Sequence, residues 1–271
     1  MRIAVDHRTH YRFSEPQARI VQMLRLTPCD TLDQTVVSWM IGVDCDARLR
    51  DATDGYGNAV TMLYAEGPIA ALDVTVTGEV LTRDTAGVVH GAIEPLPPMV
   101  YLRTTPRTLA DAALAEFATE CAGRDSLDGL HCLNAALHAR FPRVADAPDA
   151  GTTAAEAFAR KSATSRDAAQ MFVAAARSLR LPARYVSGYR GDGEAHCAPH
   201  AWAEAFVERI GWIGFDPATG ISPDESYVRI AIGLDAAGAA SIAGTRVGQG
   251  EEQLDVDLHV DRLGGQAGTD A

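Results

Sequence analysis

The sequence predicts an α+β protein in two parts, an N-terminal antiparallel β-sandwich followed by a segment in which helices precede strands. Before residue 90, apolar and polar residues alternate at period two in several short runs, which is typical of half-buried strands. The run Pro-Leu-Pro-Pro at residues 95–98 marks a boundary, after which apolar residues recur at helical spacing. An apolar helical stretch at residues 166–180 and several later strand-like runs complete the prediction.

The first strand shows the clearest alternation in the chain. Its residues Ile3, Val5, His7, Thr9 and Tyr11 fall on one face, and charged or polar residues separate them. Further β-prone runs lie at residues 19–26, 35–43, 59–64 and 70–81, with turn-forming residues at 27–30 and 54–58. Several strands at short spacing without a helical pattern predict an antiparallel sandwich, and we assign it residues 1–94.

The second part, residues 95–235, begins with helices. Thr108 is the predicted cap of a first helix, and leucines at three- and four-residue spacing predict a second helix over residues 127–141. Thr153 and Glu156 fit a capping box for a short third helix. Beyond residue 235, we predict a C-terminal loop and one strand over residues 236–262, then a flexible tail over residues 263–271.

Three polar residues occupy positions that suit nucleophilic catalysis. Ser165 starts the apolar helix, His200 opens a strand predicted over residues 200–207, and Asp216 ends a strand predicted over residues 212–215. A nucleophile, a base and a residue that orients the base are the parts of a catalytic triad. Each residue also has a simpler interpretation: Ser165 as a helix N-cap, His200 as a packed strand residue, and Asp216 as a turn residue.

The composition argues against several other classes of protein. A formal net charge of −12 disfavours binding to nucleic-acid phosphates, and no apolar run approaches the ~20 residues of a membrane span. The N-terminal residues lack a secretory apolar segment, and the five cysteines are scattered, so we expect free thiols in a cytoplasmic protein. The cluster His196-Cys197-Ala198-Pro199-His200 leaves two alternatives open. Cys197 would be a substitute nucleophile without a helix start, and a metal site would lack a distant pair of ligands.

Four motifs resemble the transglutaminase-like family of bacterial papain-type thiol enzymes. They are Ser165-Arg166-Asp167, Arg184-Tyr185-Val186-Ser187-Gly188-Tyr189, His200-Ala201-Trp202 and Gly214-Phe215-Asp216-Pro217-Ala218-Thr219-Gly220. The family patterns read G-V-C-x-D-F-A, R-Y-V-S-G-Y, H-A-W and F-D-P-T. The β-rich N-terminal part resembles a domain that is often joined to this core, so the resemblance covers nearly the whole chain.

The resemblance implies a papain-like transglutaminase core, in which the helix bearing the nucleophile position packs on an antiparallel sheet. It assigns the roles of nucleophile, base and orienting residue to Ser165, His200 and Asp216. The sequence departs from the family where Ser165 replaces Cys, where residues 163–164 replace Gly-Val, and where Ala168 replaces Phe. The residues that we expect to contact the substrate are Trp202, Tyr185 and Tyr189.

The activity implied by the resemblance is acyl transfer or hydrolysis at an amide of a peptide or protein, without a metal or organic cofactor. Ser165 predicts weak activity or none, because an alcohol does not ionise beside an imidazole as a thiol does. Two alternatives follow, a pseudoenzyme that binds peptide or protein in the same cleft and a laboratory Cys→Ser variant of an active cysteine protease. Water and an amine are both open as the acyl acceptor, and no motif specifies an oligomeric state.

Overall fold

The computed structural model describes residues 1–123, 126–145, 151–191, 195–196 and 198–263. The N-terminal strands are β1 (Arg2–Leu24), β2 (Gln34–Val43), β3 (Ala47–Thr53) and β4 (Ala59–Thr82). Short 3-10 turns at Pro98–Leu102 and Pro106–Thr108 lead to the helices α1 (Ala112–Glu120), α2 (Ser126–Arg140), α3 (Ala154–Phe158) and α4 (Ser165–Ser178). The later strands are β5 (Ala183–Arg190), β6 (Ala195–His196), β7 (His200–Val207), β8 (Gly211–Phe215), β9 (Tyr227–Gly233), β10 (Ile242–Val247) and β11 (Glu252–Leu263).

One antiparallel sheet contains the four N-terminal strands and strands from the C-terminal part of the chain. Strand β1 is central: β4 pairs along one side of it, and β11 and β10 pair in succession along the other side. Strand β2 pairs with one half of β4, and β3 pairs with the other half. The register of the β1–β4 pair shifts between Arg12 and Gln17, and such irregularities bend long strands.

The two halves of this sheet share one apolar core. Tyr11 and Phe13 from the first half of β1 belong to the same buried cluster as Ile20 and Leu24 from the second half. Within each half the buried side chains alternate at period two, at odd positions up to Phe13 and at even positions from Ile20. The register shift between the halves lets both sets enter the same core. The N-terminal part is therefore antiparallel and β-rich as expected, with its core enclosed between two halves of one sheet.

A second sheet of four antiparallel strands, in the order β8-β7-β5-β9, forms the core of the second part. Helix α4 packs on this sheet, and the small side chains of Ala201, Ala203 and Ala205 on β7 lie in the same buried cluster as the alanines of α4. Helices α1, α2 and α3 also contact α4. Surrounded in this way, α4 buries nearly every side chain, which explains its apolar sequence. The predicted α+β class is confirmed.

The two sheets meet along β9, an edge strand of the second sheet. The side-chain amide of Gln34 donates to the Arg229 carbonyl at 3.0 Å and accepts the Arg229 N–H at 2.8 Å. Asn58 makes the same pair of bonds with the backbone of Ile232, both at 2.8 Å. Each amide therefore pairs with the edge strand as a neighbouring strand would. An apolar cluster from both sheets closes the interface: Ile3, Val5, Val80, Tyr189, Val228, Ile230, Ala231, Leu258 and Val260.

The structure differs from the sequence predictions in several elements. The runs predicted separately at residues 3–11 and 19–26 form one strand, β1, and those at 59–64 and 70–81 form one strand, β4. Asp111 caps α1 by accepting the Leu114 N–H at 2.9 Å, whereas Thr108 ends the preceding 3-10 turn, so the prediction of Thr108 as the cap is wrong. The sequence patterns do not predict β3, and β10 lies in a Gly- and Ala-rich stretch where we expect a loop. The predicted capping box of Thr153 and Glu156 is present. Of the predicted flexible tail, residues 264–271 lie outside the described residues.

Candidate active site

Ser165 is the first residue of α4, but it does not cap the helix. Thr164 occupies the N-cap position: its Oγ1 accepts the Asp167 N–H at 3.1 Å, and the Asp167 carboxylate accepts the Thr164 N–H at 3.3 Å. This reciprocal pair is a capping box, which satisfies donors at the start of the helix. The interpretation of Ser165 as the N-cap is therefore wrong.

The Ser165 hydroxyl lies at the junction of α4 and β7. Its Oγ accepts the backbone N–H of Ala201 at 3.1 Å, and the side chain is 0% exposed. Because Ala201 directly follows His200 in the chain, this hydrogen bond places Ser165 beside the start of β7. The positive end of the α4 dipole faces the same point and favours negative charge there.

His200 and Asp216 form a buried pair. The His200 Nε2 lies 2.7 Å from the Asp216 Oδ2, because β7 carries His200 and the neighbouring strand β8 ends immediately before Asp216. Since Nε2 contacts the carboxylate, Nδ1 is the ring nitrogen that can serve a neighbouring nucleophile. The structure thus brings His200 and Asp216 into contact, while Ser165 contacts the residue next to His200.

A tight turn holds Asp216 in place. The Gly220 N–H donates to the Asp216 carbonyl at 2.8 Å, and the Asp216 N–H donates to the Ile221 carbonyl at 2.9 Å. The Ala218 N–H donates to the carboxylate Oδ1 at 2.9 Å. Gly220 adopts a φ of +79°, a conformation that glycine reaches without steric cost. The turn therefore fixes both the backbone and one carboxylate oxygen of Asp216, leaving Oδ2 directed at His200.

Tyr227 is a further member of this cluster that no sequence motif predicts. Its hydroxyl donates to the Asp216 Oδ2 at 2.8 Å. Burial and the charge of Asp216 raise the pKa of Tyr227, so the hydroxyl keeps its proton. Burial alone would raise the pKa of Asp216, but the charge of His200 and the hydrogen bonds from His200 and Tyr227 hold that pKa below its usual value. Only the pairing of β5 with β9 brings Tyr227 here, so no local sequence signal marks it.

Trp202 packs against the same cluster as a buried aromatic side chain. Its ring centre lies 6.4 Å from that of His200 and 5.4 Å from that of Tyr227, the second pair being nearly perpendicular. Gly188 on β5 gives the indole its room, because a Cβ at that position would lie 2.6 Å from the Trp202 Cη2. The glycine and the tryptophan of two separate motifs therefore form one packing unit beside the site. Contact of Trp202 with a substrate stays a prediction.

The two tyrosines of the R-Y-V-S-G-Y motif have different surroundings. Tyr185 lines a cavity of about 190 Å³ together with Arg166 and Pro199, and its contact with a substrate stays a prediction. Tyr189 lies between the two sheets, where its hydroxyl is 2.9 Å from the His7 Nδ1. At 1% exposure, the ring of Tyr189 offers no surface to a substrate in this structure.

The two alternatives that involve residues 196–200 are Cys197 as a substitute nucleophile and a metal site. Cys197 lies outside the described residues, as does the side chain of His196. Within the described ranges, no group of three or more His, Cys, Asp and Glu side chains is placed to hold a metal ion.

No helix in the described part of the chain is long and apolar enough to cross a membrane.

Two regions of the chain match known family models. Residues 3–81 match the bacterial transglutaminase-like N-terminal region, and residues 115–217 match the transglutaminase-like superfamily. The second match includes Ser165, His200 and Asp216. Together the two matches span about two thirds of the sequence. The chain belongs to the transglutaminase-like superfamily and carries the bacterial N-terminal region.

Relatives and a solved structure resemble the chain over nearly its full length. An uncharacterized protein of Mycobacterium leprae is 25% identical over 97% of this chain and 99% of its own length. A second uncharacterized protein, from Mycobacterium bovis, is 25% identical over 96% of this chain and 92% of its own. A structure from Cytophaga hutchinsonii, provisionally designated a cysteine protease, is 18% identical and has a TM-score of 0.76, over 98% of this chain and 92% of that chain. This last similarity supports the fold of both parts of the molecule.

Proposed function

We propose that the chain is a thiol-type scaffold for acyl transfer or hydrolysis at an amide of a peptide or protein, with Ser165, His200 and Asp216 as its catalytic group. The observation that carries the proposal is the buried contact of 2.7 Å between His200 and Asp216 beside the N-terminus of α4. A base that a carboxylate orients next to a helix start is an arrangement that activates a nucleophile. We place this activity in the cytoplasm and expect neither nucleic acid nor a membrane as a partner.

The proposed reaction follows from the positions of these side chains. The His200 Nδ1 would take the proton of the nucleophile as it attacks the carbonyl carbon, and Asp216 would stabilise the resulting imidazolium. The imidazolium would then give that proton to the leaving amine, and an acyl-enzyme would form. Water or a second amine would take the acyl group, with hydrolysis or transfer as the outcome. The positive end of the α4 dipole would favour the negative charge on the carbonyl oxygen.

Serine at position 165 predicts weak turnover or none. A thiol beside an imidazole ionises and attacks as a thiolate, whereas an alcohol requires concerted removal of its proton. We therefore propose that sulfur at this position is the competent nucleophile.

The buried state of Ser165 favours a second candidate function, a pseudoenzyme that binds peptide or protein in the same cleft without turnover. The two functions predict different behaviour when sulfur is introduced at position 165. A laboratory replacement of cysteine is a separate alternative, and the codon at position 165 of the native gene decides it.

The test of the catalytic proposal is the reactivity of the Ser165→Cys variant. We expect the new thiol to react with iodoacetamide much faster than the protein's other thiols, because the helix start and His200 both favour the thiolate. The rate should show an inflection well below the pH of about 8.5 at which a free thiol ionises. Adding His200→Ala should slow the reaction strongly, and Asp216→Ala should slow it less, because the imidazole is then present but poorly oriented.

A matched control is Ser178→Cys, at the opposite end of the same helix, where the dipole disfavours a thiolate. Its rate should follow that of an ordinary exposed thiol. If the Ser165→Cys thiol has the same rate and the same pH dependence as the Ser178→Cys thiol, the site is not organised for catalysis. That result would favour the pseudoenzyme.

A further inference from the structure

The cavity of about 190 Å³ that Tyr185 lines lies between the two sheets of the molecule. His7 and Thr9 on β1 contribute one wall, and Tyr185 and Ser187 on β5 contribute another. Small and apolar residues between positions 236 and 242 border it as well. A cavity of roughly 150 Å³ accepts a ligand as large as benzene, so this cavity has room for an amino-acid side chain.

The cavity adjoins the candidate nucleophile. In the β5–β7 pair, Ser187 lies opposite Ala201, whose N–H donates to the Ser165 Oγ. Arg166, which follows Ser165 in α4, also lines the cavity. An amide placed for attack at position 165 would therefore have this cavity directly beside it, on the side of the N-terminal sheet.

Ser187 provides a buried hydroxyl in the cavity wall. Its side chain is 6% exposed, and its Oγ has no hydrogen-bond partner in the part of the chain that the structure describes. Buried polar groups in folded proteins are nearly always hydrogen-bonded, and each exception calls for an explanation. A ligand in the cavity that accepts a hydrogen bond from Ser187 provides one.

Thr9 provides a second hydroxyl in the cavity wall. The hydrogen bonds around the His7 ring determine in which direction the Thr9 O–H donates. The His7 ring lies between two hydroxyls, with Nδ1 2.9 Å from the Tyr189 hydroxyl and Nε2 3.2 Å from the Thr9 Oγ1. Tyr189 is enclosed, so its O–H must donate to Nδ1 to be satisfied, which places the ring proton on Nε2. Nε2–H then donates to Thr9, and the Thr9 O–H is left to donate into the cavity.

The rest of the lining disfavours a cation. Arg166 is a cation, the positive end of α4 is adjacent, and none of the described residues that line the cavity is Asp or Glu. An oxygen acceptor, by contrast, would receive hydrogen bonds from the Thr9 and Ser187 hydroxyls.

We propose that this cavity, which we name the acceptor pocket, binds the substrate residue next to the reacting amide and selects a short side chain that ends in an acceptor oxygen. The pocket depends on Thr9 of the N-terminal sheet, so both sheets determine which substrate binds. The position of the pocket beside a reacting amide rests on the proposed function, but the selectivity itself requires no turnover.

The test is the binding of four capped tripeptides, N-acetyl-Ala-X-Ala-amide with X as Asn, Asp, Leu or Lys, to the unmodified protein by ligand-observed NMR titration. Asn, Asp and Leu have nearly the same shape, so they differ mainly in the acceptor oxygen. We expect the Asn and Asp peptides to bind about tenfold more tightly than the Leu peptide, as two hydrogen bonds would allow, and the Lys peptide to bind most weakly. The order of Asn and Asp shows whether a carbonyl or a carboxylate is preferred.

Two variants locate the selectivity in the pocket. Ser187→Ala and Thr9→Val should each weaken binding of the better acceptor peptide about threefold, the share of one of the two hydrogen bonds, and leave the Leu peptide unchanged. Thr75→Val is the matched control, because it removes a hydroxyl that bonds the Gly42 carbonyl elsewhere in the N-terminal sheet. It should change neither peptide.

Three results would overturn the acceptor pocket. These are equal binding of the Asn, Asp and Leu peptides, an acceptor preference that survives in both variants, and failure of all four peptides to bind at their highest soluble concentration. These results do not decide the proposed function, which the reactivity of the Ser165→Cys thiol tests separately. A reactive Ser165→Cys thiol without acceptor selectivity removes the pocket alone, whereas selective binding with an ordinary thiol removes catalysis alone and leaves a binding protein.

Discussion

The imidazoles of His7 and His200 are both buried, and each lies in a cluster with a tyrosine hydroxyl. Among the residues that the structure describes, a carboxylate contacts His200 but not His7. Tyr189 donates directly to His7, and Thr9 is its other partner. At His200, Asp216 stands between the imidazole and the Tyr227 hydroxyl, so both groups bond the same carboxylate oxygen.

This difference decides what each imidazole can do. Burial lowers the pKa of His7 to about 4, and the nearby charge of Asp6 opposes this with a smaller effect. His7 therefore stays neutral near pH 7, and its ring accepts a hydrogen bond from Tyr189 and donates one to Thr9. A carboxylate in contact with an imidazole stabilises the protonated ring, which a general base requires. Two similar His–Tyr clusters are therefore suited to different tasks, one to recognition and the other to proton transfer.

The largest expected effect concerns the pH dependence of stability at His7. An unfolded histidine binds a proton near pH 6.5 and the folded His7 only near pH 4, so the free energy of unfolding should fall as the pH drops through this window. The full loss is about 3 kcal/mol. His7→Gln should remove this part of the pH dependence in denaturant titrations at a series of pH values.

Thr75→Val is the control for His7→Gln, since Thr75 lies opposite Arg8, the next residue of β1, and carries no titratable group. It should leave the slope between pH 6.5 and pH 4 unchanged. An identical slope in the wild type and His7→Gln would show that the burial of His7 is not maintained in solution.

The next effect in size is expected for Tyr227→Phe. Because its hydroxyl donates to a buried carboxylate, its loss should reduce the free energy of unfolding by about 2 kcal/mol. In the Ser165→Cys background, the pH profile of alkylation should also shift, because Tyr227 positions Asp216 and Asp216 orients His200. Tyr64→Phe, at an exposed tyrosine, should change neither measurement. A loss of stability without any shift in the profile would assign Tyr227 a structural role alone.

The smallest effect is expected for Tyr189→Phe. This hydroxyl donates to a neutral ring nitrogen, so the loss should be about 1 kcal/mol, roughly half that of Tyr227→Phe. Thermal and denaturant unfolding of the two variants in parallel gives the ratio directly. A larger loss for Tyr189→Phe than for Tyr227→Phe would contradict the contrast between the two clusters.

Much of the fold follows from local sequence patterns. The alternation that begins at Ile3 predicts the first half of β1, and the apolar run after Ser165 predicts the buried helix α4. The capping box at Thr153 is equally local, because its two partners are three residues apart. By contrast, β10 has a composition typical of loops and becomes a strand only because β1 offers it a pairing partner.

The residues of the candidate site are likewise of two kinds, those that sequence motifs predict and those that only the fold brings together. Sequence motifs place Ser165, His200 and Asp216 at the ends of their elements, and the two sheet residues do come into contact. Tyr227 and His7 carry no motif, because strand pairing and the meeting of two sheets bring them to their partners. The sequence also does not show which of the neighbouring residues Thr164 and Ser165 caps α4. The hydrogen bond from the Asp167 N–H to the Thr164 Oγ1 identifies Thr164 as the cap.

Because β1 pairs with β11, the first sheet cannot be completed until the C-terminal strands have been translated. Strand β1 is translated before the other strands of its sheet, yet the residues opposite its start, such as Leu263 opposite Arg2, are translated after the whole of the second sheet. Until then β1 has only β4 as a neighbour and presents an unpaired edge, which nascent chains and aggregates can extend. The second sheet is thus translated while the first sheet is incomplete, and β10 and β11 then both cover that edge and complete a wall of the acceptor pocket.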